Sequence, residues 1–194
     1  MSERRRRAAI VLAAGASSRM GSPKALLAWR GTTLLGHALR ELRRARVEDI
    51  VVVLGLAHEA IERDVAELAQ TTMRLNLDEA SGRSASIRIA AHAIADDVAQ
   101  VVVQSVDQPS DTDILNALLE TEGDVVVPVQ NGRRGHPVCF SGRLLAELRA
   151  VSEDAEGLRA VVRRHPVTEV EVTSAAVFWN LNTPEAYQAA VAEQ

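Results

Sequence analysis

The sequence is poor in three residue types that usually carry recognisable chemistry. Its single cysteine, Cys139, excludes an internal disulfide and a cysteine zinc cluster, and its apolar surroundings favour a small buried side chain. Aromatic residues make up 3% of the chain, so the core has to be built from Val, Leu, Ile and Ala. Lysine occurs once, at Lys24, whereas every other basic residue is an arginine. The position of that one ammonium group therefore invites an explanation.

Long apolar runs and excess positive charge are also missing. No segment approaches the ~20 apolar residues that span a bilayer, and no apolar run precedes a cleavage site, so we expect a cytoplasmic protein without a secretory signal. The net charge of -4 argues against a protein that binds nucleic acid by general phosphate attraction. The run Arg4–Arg7 is interpreted as a solvated lead-in to the first strand rather than an RNA or membrane patch.

Short apolar runs alternate with helical patterns along the 194 residues. The predicted strands are Ala8–Ala13, Ile50–Leu54, Met73–Leu77, Gln100–Val106, Asp124–Val129, His136–Phe140 and Val167–Val172. The predicted helices are Thr33–Ala45, His58–Ala69, Ser84–Ala95, Asp111–Leu119, Arg143–Val151, Glu156–Arg164 and Pro184–Val191. Asp111 is predicted to cap the N-terminus of its helix. Apolar strands separated by amphipathic helices are typical of a parallel sheet covered on both faces. We predict one α/β domain over residues 1–194, with a three-layer Rossmann-like fold and a small accessory segment around residues 130–180.

The loop after the first strand, Ala14–Leu26, is the default ligand site of such a sheet. Gly15 and Gly21 permit close approach of the backbone, and successive N–H groups can bind phosphate oxygens. Arg19 offers a guanidinium fork, and Lys24 a compact ammonium that fits a narrow space beside a phosphate. The alternative is that Lys24 is a chance survivor of an arginine-rich composition. The loop matches neither the Walker loop nor the dinucleotide-binding glycine pattern.

The segment Leu12–Leu27, LAAGASSRMGSPKALL, closely resembles the opening signature of nucleotidyltransferases that act on the molybdenum cofactor. Its Ala-Ala-Gly and Pro-Lys choices look like the cytidylyltransferase branch, since the guanylyltransferase branch more often has Ala-Gly-Gly and Asp-Lys. The resemblance extends from Ala9 to about Tyr187. It implies a nucleotidyltransferase fold and transfer of CMP from CTP to molybdopterin or its molybdenum form, with release of pyrophosphate. A guanylyl reaction, or a sugar-phosphate or alcohol-phosphate acceptor, stays open.

The resemblance also implies how the first half of the chain binds the nucleotide. It assigns Arg19 and Lys24 to the triphosphate and the developing charge. The base edge would be read by the backbone of Leu12, Ala13, Ala14 and Gly15. The segment Asn76–Arg88 resembles the family pattern that places a glycine and a serine, here Gly82 and Ser86, near the base and ribose at a helix N-terminus that favours anions. The alternative is a polar turn that caps a helix.

Two further segments suggest a magnesium site. The apolar strand before Asp107 delivers that carboxylate to a carboxyl end, where it suits Mg²⁺, and Asp-Gln-Pro resembles the family's metal-binding segment. The alternative is an aspartate that forms a turn before Pro109. Asn182 is assigned as a second ligand through its carbonyl, although the cytidylyl branch usually has acids where this chain has Asn180 and Asn182, as the guanylyl branch does. The alternative is that Asn182 caps the last helix.

The acceptor site is assigned by resemblance to the family's Gly-x-x-Gly-His-Pro segment, here Gly135, His136 and Pro137. Another segment of the family signature is matched only in part by Ser152–Arg159. The implied partners are CTP or another NTP, a molybdopterin-type substrate and a molybdoenzyme as a candidate client, with a monomer or weak dimer as the expected assembly. A non-catalytic pterin carrier is the alternative of another class. A protein that only carries a pterin needs neither a triphosphate site nor a metal site, so Arg19, Lys24 and Asp107 argue against this alternative.

Overall fold

The computed structural model describes residues 6–15 and 22–193 of the chain, except the side chain of Glu79. Its strands are β1 (Arg7–Ala13), β2 (Ala28–Trp29), β3 (Thr32–Thr33), β4 (Asp49–Leu54), β5 (Thr72–Leu75), β6 (Gln100–Ser105), β7 (Val125–Gln130), β8 (Arg133–Arg134), β9 (Val138–Ser141) and β10 (Val167–Glu171). Its α-helices are α1 (Leu34–Arg44), α2 (His58–Asp64), α3 (Gly82–Ala91), α4 (Thr112–Glu120), α5 (Leu145–Arg149), α6 (Leu158–Arg164) and α7 (Pro184–Ala192). Within this part of the chain, no helix has the length and apolar character needed to cross a membrane.

The strands form an eight-stranded sheet in the order β10-β7-β9-β6-β1-β4-β5, with β8 paired to β7. β1 lies between β4 and β6 and is parallel to both, and only β8 and β9 run against the other strands of the described sheet. The carboxyl ends of β1, β4 and β6 therefore meet at the middle of one sheet edge. The mostly parallel α/β sheet predicted from the sequence is confirmed.

Each face of the sheet carries its own apolar layer, because successive side chains of a strand point to opposite faces. Ala9 and Val11 of β1 pack with α1 and α4, whereas Ala8 and Ile10 pack with α3 and α5. All four side chains are fully buried. Cys139 is buried in the first layer, and burial raises the pKa of its thiol to about 12, so it acts as a small hydrophobic side chain, as predicted.

Short polar side chains fix the starts of three helices. Thr33 caps α1 by accepting a hydrogen bond from the backbone N–H of Gly36 at 3.0 Å. Asp111 caps α4 by accepting from the N–H of Ile114 at 3.1 Å, which confirms the predicted cap. Thr183 caps α7 immediately before its first residue, Pro184. Asn182 is therefore not the cap of the last helix, and that alternative is wrong.

Several predicted helices are shorter than their sequence patterns. The helices predicted over Ser84–Ala95 and Arg143–Val151 are Gly82–Ala91 and Leu145–Arg149 in the structure. The segment predicted as a helix over His58–Ala69 breaks after α2, because Val65 is extended and a 3₁₀ turn, Ala66–Gln70, follows. The break lets both Val65 and Leu68 reach the core. The helix predicted from Glu156 begins two residues later, since Glu156 and Gly157 have positive φ angles of 64° and 60°.

The sequence pattern also misplaced some strands. The strand predicted over Met73–Leu77 is β5, which ends at Leu75. The β2–β3 hairpin was not predicted. Arg30 and Gly31 at its turn have positive φ angles of 43° and 75°, which are typical of a tight hairpin. Within the segment expected to be accessory, β9 is inserted between β6 and β7 of the main sheet, so this part of the chain completes the central layer.

Candidate active site

A cavity of about 730 Å³ opens where β1, β4 and β6 end. Its volume lies in the ~300–1,000 Å³ range of sites for small molecules. The residues predicted to form the site that line this cavity are Leu12, Ala13, Ala14, Gly15, Lys24, Gly82, Ser86, Asp107 and Asn182. Four distant parts of the sequence thus meet at one edge of the sheet.

The loops after β1 and β4 touch through their backbones. A Cβ on Gly55 would lie 2.5 Å from the carbonyl oxygen of Ala14, so only glycine permits this approach. At Gly15, a Cβ would meet no atom within 4 Å, which leaves this side of the loop open. The wall formed by these two loops contains Ala13, Ala14, Gly15 and Gly55, whose side chains are small or absent. The role of this wall in reading a base edge stays a prediction.

Asn76, just after β5, connects that strand to the start of α3. Its backbone N–H donates to the carbonyl of Leu54 at 2.8 Å, and its side-chain Nδ2 donates to Ser86 Oγ at 2.9 Å. Ser81 Oγ donates to Asn76 Oδ1 at 3.1 Å. Asn76 and Ser86 are buried, so this network orients the wall that contains Gly82 and Ser86. Asn76 belongs to the motif segment Asn76–Arg88, but no role was predicted for its side chain.

The N-terminus of α3 differs from the sequence expectation of an anion site. The carboxylate of Glu153 already occupies it, because Glu153 Oε1 accepts a hydrogen bond from the N–H of Ser84 at 2.6 Å. This backbone hydrogen bond is the largest cause of the lowered pKa of Glu153. Gly82, with a φ angle of 72°, packs so closely that a Cβ would lie 2.8 Å from Glu153 Oε1. The segment Ser152–Arg159, which departs from the family pattern, thus closes this end of the helix.

Lys24 contacts both residues that were predicted to bind a metal ion, Asp107 and Asn182. Its Nζ lies 3.2 Å from Asp107 Oδ2 and also donates a short hydrogen bond to Asn182 Oδ1. Asn182 Nδ2 donates in turn to Asn180 Oδ1. The backbone N–H of Leu181 donates to the carbonyl of Asp107 at 2.8 Å, so the two segments are held in register. The position of Lys24 inside this cluster argues against the alternative that lysine occurs at this position by chance.

The contacts of the Lys24 ammonium show that Asp107 and Asn182 can bind one cation together. One side-chain oxygen of each residue contacts this ammonium group, and carboxylate and carbonyl oxygens are the ligand types that Mg²⁺ prefers. Among the described residues, no three His, Cys, Asp or Glu side chains group closely enough to hold a metal. The ligand set therefore fits Mg²⁺ only when phosphate or water oxygens complete it.

The remaining predicted residues lie outside the cavity lining or outside the described residues. Arg19 and Gly21 fall outside the described residues. Gly135 and Pro137 are buried and do not line the cavity, and a Cβ on Gly135 would lie 2.5 Å from Val177 Cβ. His136 is half-buried, and its backbone N–H donates to the carbonyl of Val177 at 2.9 Å. The acceptor role of these three residues stays a prediction.

Sequence reasoning missed several residues of the cavity wall. These are chiefly Arg83, Leu56, Asp78, Ser105 and Gln108. Arg83, the second residue of α3, carries the most chemistry, since its charge acts on both Asp107 and His136. Its position directly after the motif glycine Gly82 was the available signal. We expect such a residue to project into a site when its helix starts at the carboxyl edge of the sheet.

Comparison with known proteins identifies the family. Residues 9–170 match the model of the MobA-like NTP transferase domain. The chain belongs to the MobA-like NTP transferase family. Its members are nucleotidyltransferases, so the predictions of family, fold and enzyme class are confirmed. The choice between CTP and GTP is not decided by this match.

Individual relatives of this MobA-like protein agree with the assignment. It is 30% identical over 191 residues to a Bacillus mycoides protein named "Probable molybdenum cofactor guanylyltransferase", with 93% of each chain covered. It also matches the crystal structure of Rv0371c from Mycobacterium tuberculosis, with a TM-score of 0.86, 30% identity and coverage of 97% and 98%. A manganese complex of Rv0371c matches with a TM-score of 0.83, 28% identity and coverage of 97% and 100%.

Proposed function

We propose that the protein transfers a nucleotidyl group from an NTP to the terminal phosphate of a molybdopterin-type acceptor, with release of pyrophosphate. The observation that carries this proposal is the meeting of Lys24, Asp107 and Asn182 in one cavity at the end of β1. In an NTP transferase this arrangement supplies a cation for phosphate and two oxygens for a metal. The name of the Bacillus mycoides relative supports the pterin acceptor.

The reaction needs positioning and charge stabilisation more than covalent help. An oxygen of the acceptor phosphate attacks the α-phosphorus in line and forms a new P–O bond. The bond from the α-phosphorus to the bridging oxygen breaks, and pyrophosphate leaves with the bonding electrons. Lys24, with Arg19, binds the triphosphate and stabilises the developing charge. Asp107 and Asn182 would hold Mg²⁺, which would supply positive charge to the phosphate oxygens.

We propose CTP as the donor. Ala13 and Ala14 both line the cavity, where the guanylyl branch more often has a glycine at the second position. A methyl group there takes space beside the backbone edge and favours a pyrimidine over a larger purine. GTP is the second candidate, since the Bacillus mycoides relative is named a guanylyltransferase and Asn180 and Asn182 follow the guanylyl pattern.

The test is pyrophosphate release with Mg²⁺ and molybdopterin, comparing CTP, GTP, ATP and UTP. Turnover with CTP alone is expected. Turnover with GTP alone would mean that Asn180 and Asn182 indicate the base better than Ala13 and Ala14 do. Pterin binding without pyrophosphate release from any NTP would favour the carrier alternative.

Substitution of the central residues tests the roles assigned to them. Lys24→Ala is expected to abolish turnover while the circular dichroism spectrum and melting temperature stay close to those of the wild type. Arg63→Ala is a suitable control, because Arg63 pairs with Asp64 at an exposed position outside the cavity lining. A Lys24→Ala enzyme with near wild-type turnover would remove Lys24 from the mechanism.

A further inference from the structure

Arg83 has no role in the function proposed above, yet it lines the same cavity as Asp107 and Lys24. Its guanidinium interacts by charge with Asp107, Glu153 and Arg159. Two of these residues, Glu153 and Arg159, belong to the segment Ser152–Arg159. Arg83 lies at the start of α3 and Lys24 lies in the turn after β1, so the two cations belong to different walls of the cavity, and Asp107 interacts with both.

Among the described residues, Arg83 is the basic side chain that lines the cavity at the start of α3, where Glu153 closes the helix N-terminus. Glu153 already accepts the N–H of Ser84, so a ligand phosphate at this helix end would meet a carboxylate in place of an open N–H group. A guanidinium avoids that conflict, because it can reach past the helix end and bind two phosphate oxygens at once. The negative charge of Glu153 also stabilises the cation of Arg83.

His136 adds an uncharged partner beside Arg83. Burial lowers the pKa of His136, the charge of Arg83 lowers it further, and Asp107 opposes both effects. The ring is therefore neutral near pH 7 and offers a hydrogen-bonding group without a second positive charge. The hydrogen bond from the His136 backbone N–H to the carbonyl of Val177 fixes this segment, which lies outside the cavity lining but interacts by charge with Arg83 and Asp107.

We propose that Arg83 binds the terminal phosphate of the acceptor, next to Asp107 and apart from the donor triphosphate at Lys24. This inference rests on the proposed function and extends it, since it names the residue that places the attacking oxygen. The acceptor phosphate bound by Arg83 would lie near Asp107, which is proposed to hold the metal ion of the donor triphosphate. Arg83 acts by binding and orienting the substrate, and it exchanges no proton with it.

The first test is a comparison of Arg83→Gln with Arg74→Gln. Arg74 is a matched control, because it lies on exposed strand β5, donates to the neighbouring carbonyl of Met73 and does not line the cavity. In the pyrophosphate assay, Arg83→Gln is expected to raise the KM for the acceptor at least tenfold. The dissociation constant of a non-hydrolysable CTP analogue, measured calorimetrically, should change less than threefold. Arg83→Lys should recover part of the loss, since it keeps the charge but not the fork.

Other outcomes of this comparison overturn the inference. An Arg83→Gln protein that loses nucleotide affinity with an unchanged acceptor KM would assign Arg83 to the donor. An Arg83→Gln protein that matches Arg74→Gln in both constants would assign it to neither substrate.

A second measurement keeps the inference testable if no pterin acceptor is used. Inorganic phosphate is titrated into the complex of the protein with Mg²⁺ and the CTP analogue, and its ³¹P line broadening is followed. Broadening in the wild type that is lost in Arg83→Gln but kept in Arg74→Gln supports an anion site at Arg83, even where the wild type releases no pyrophosphate with molybdopterin. Equal broadening in all three proteins, or none in the wild type, overturns it.

Discussion

Lys24 should compete with a divalent metal ion for Asp107 when no nucleotide is bound. Its ammonium lies 3.2 Å from Asp107 Oδ2 and also hydrogen-bonds to Asn182, so it contacts both proposed metal ligands. A metal ion that binds Asp107 and Asn182 has to displace this ammonium. Removing the charge in Lys24→Met should therefore strengthen metal binding to the free protein, although it weakens nucleotide binding.

The distance sets the size of the effect. Two unit charges 3.2 Å apart attract by about 1.3 kcal/mol at the dielectric constant of water and about 5 kcal/mol at an effective value of 20. The Lys24 and Asp107 side chains are 17% and 20% exposed, so the real value lies between these limits. Taking the lower third of that range, about 1.5–2.5 kcal/mol, Lys24→Met should bind a divalent cation ~10- to 70-fold more tightly.

The assay is a titration with Mn²⁺, following free Mn²⁺ by electron paramagnetic resonance at pH 7.5 without nucleotide. Arg63→Met removes one positive charge at an exposed site and controls for the change in net charge. In a second arm, the affinity for the Mg²⁺ complex of the non-hydrolysable CTP analogue should fall in Lys24→Met. Unchanged or weaker Mn²⁺ binding in Lys24→Met would refute the competition.

Three other substitutions test separate parts of the structure. Gly55→Ala places a methyl group 2.5 Å from the carbonyl oxygen of Ala14 and should lower the free energy of unfolding in urea by about 1–3 kcal/mol. A loss below about 0.5 kcal/mol would mean that the loops after β1 and β4 move apart without strain. Asn182→Asp adds a second carboxylate and should tighten Mn²⁺ binding to the free protein about tenfold in the same titration, whereas no gain would remove residue 182 from the metal site. Burial lowers the pKa of His37, so the unfolded chain binds its proton more readily and stability falls as the pH drops below 6.5. His136 contributes in the same direction. His37→Gln should reduce this slope in urea unfolding between pH 5 and 7, and an unchanged slope would contradict the assignment.

Local patterns predicted those parts of the fold that are decided locally. Apolar runs indicated the buried strands, and Asp111 was predicted as a cap because its side chain bonds only three residues ahead. The insertion of β9 between β6 and β7 was not predicted, since strand order depends on pairing between distant segments. The break at Val65 was also not predicted, because the helical pattern of the sequence continues through this residue. The chain leaves the helix there, and both Val65 and Leu68 are buried in the core.

The site shows the same division between local and distant contacts. Asp107 was predictable because a strand delivers it to the edge where ligands bind, and Lys24 because its loop follows β1. Asn182, 158 residues from Lys24, was assigned to the site by family resemblance, and its hydrogen bond with Lys24 was not predicted. The occupation of the α3 N-terminus by Glu153 left no signal, because a side chain 69 residues from its backbone partner creates no periodic pattern.

The amides at Asn180 and Asn182 now have a physical consequence that the sequence alone left open. With amides at both positions, Asp107 is the carboxylate that Lys24 neutralises, and the pair carries no net charge. A free divalent cation gains little from such a pair, whereas an NTP already bound to Mg²⁺ brings phosphates that draw Lys24 away from Asp107. The metal ion is then expected to arrive with the nucleotide. If so, the Mn²⁺ affinity of the wild-type protein should rise steeply when the CTP analogue is added, and that rise should be smaller in Asn182→Asp.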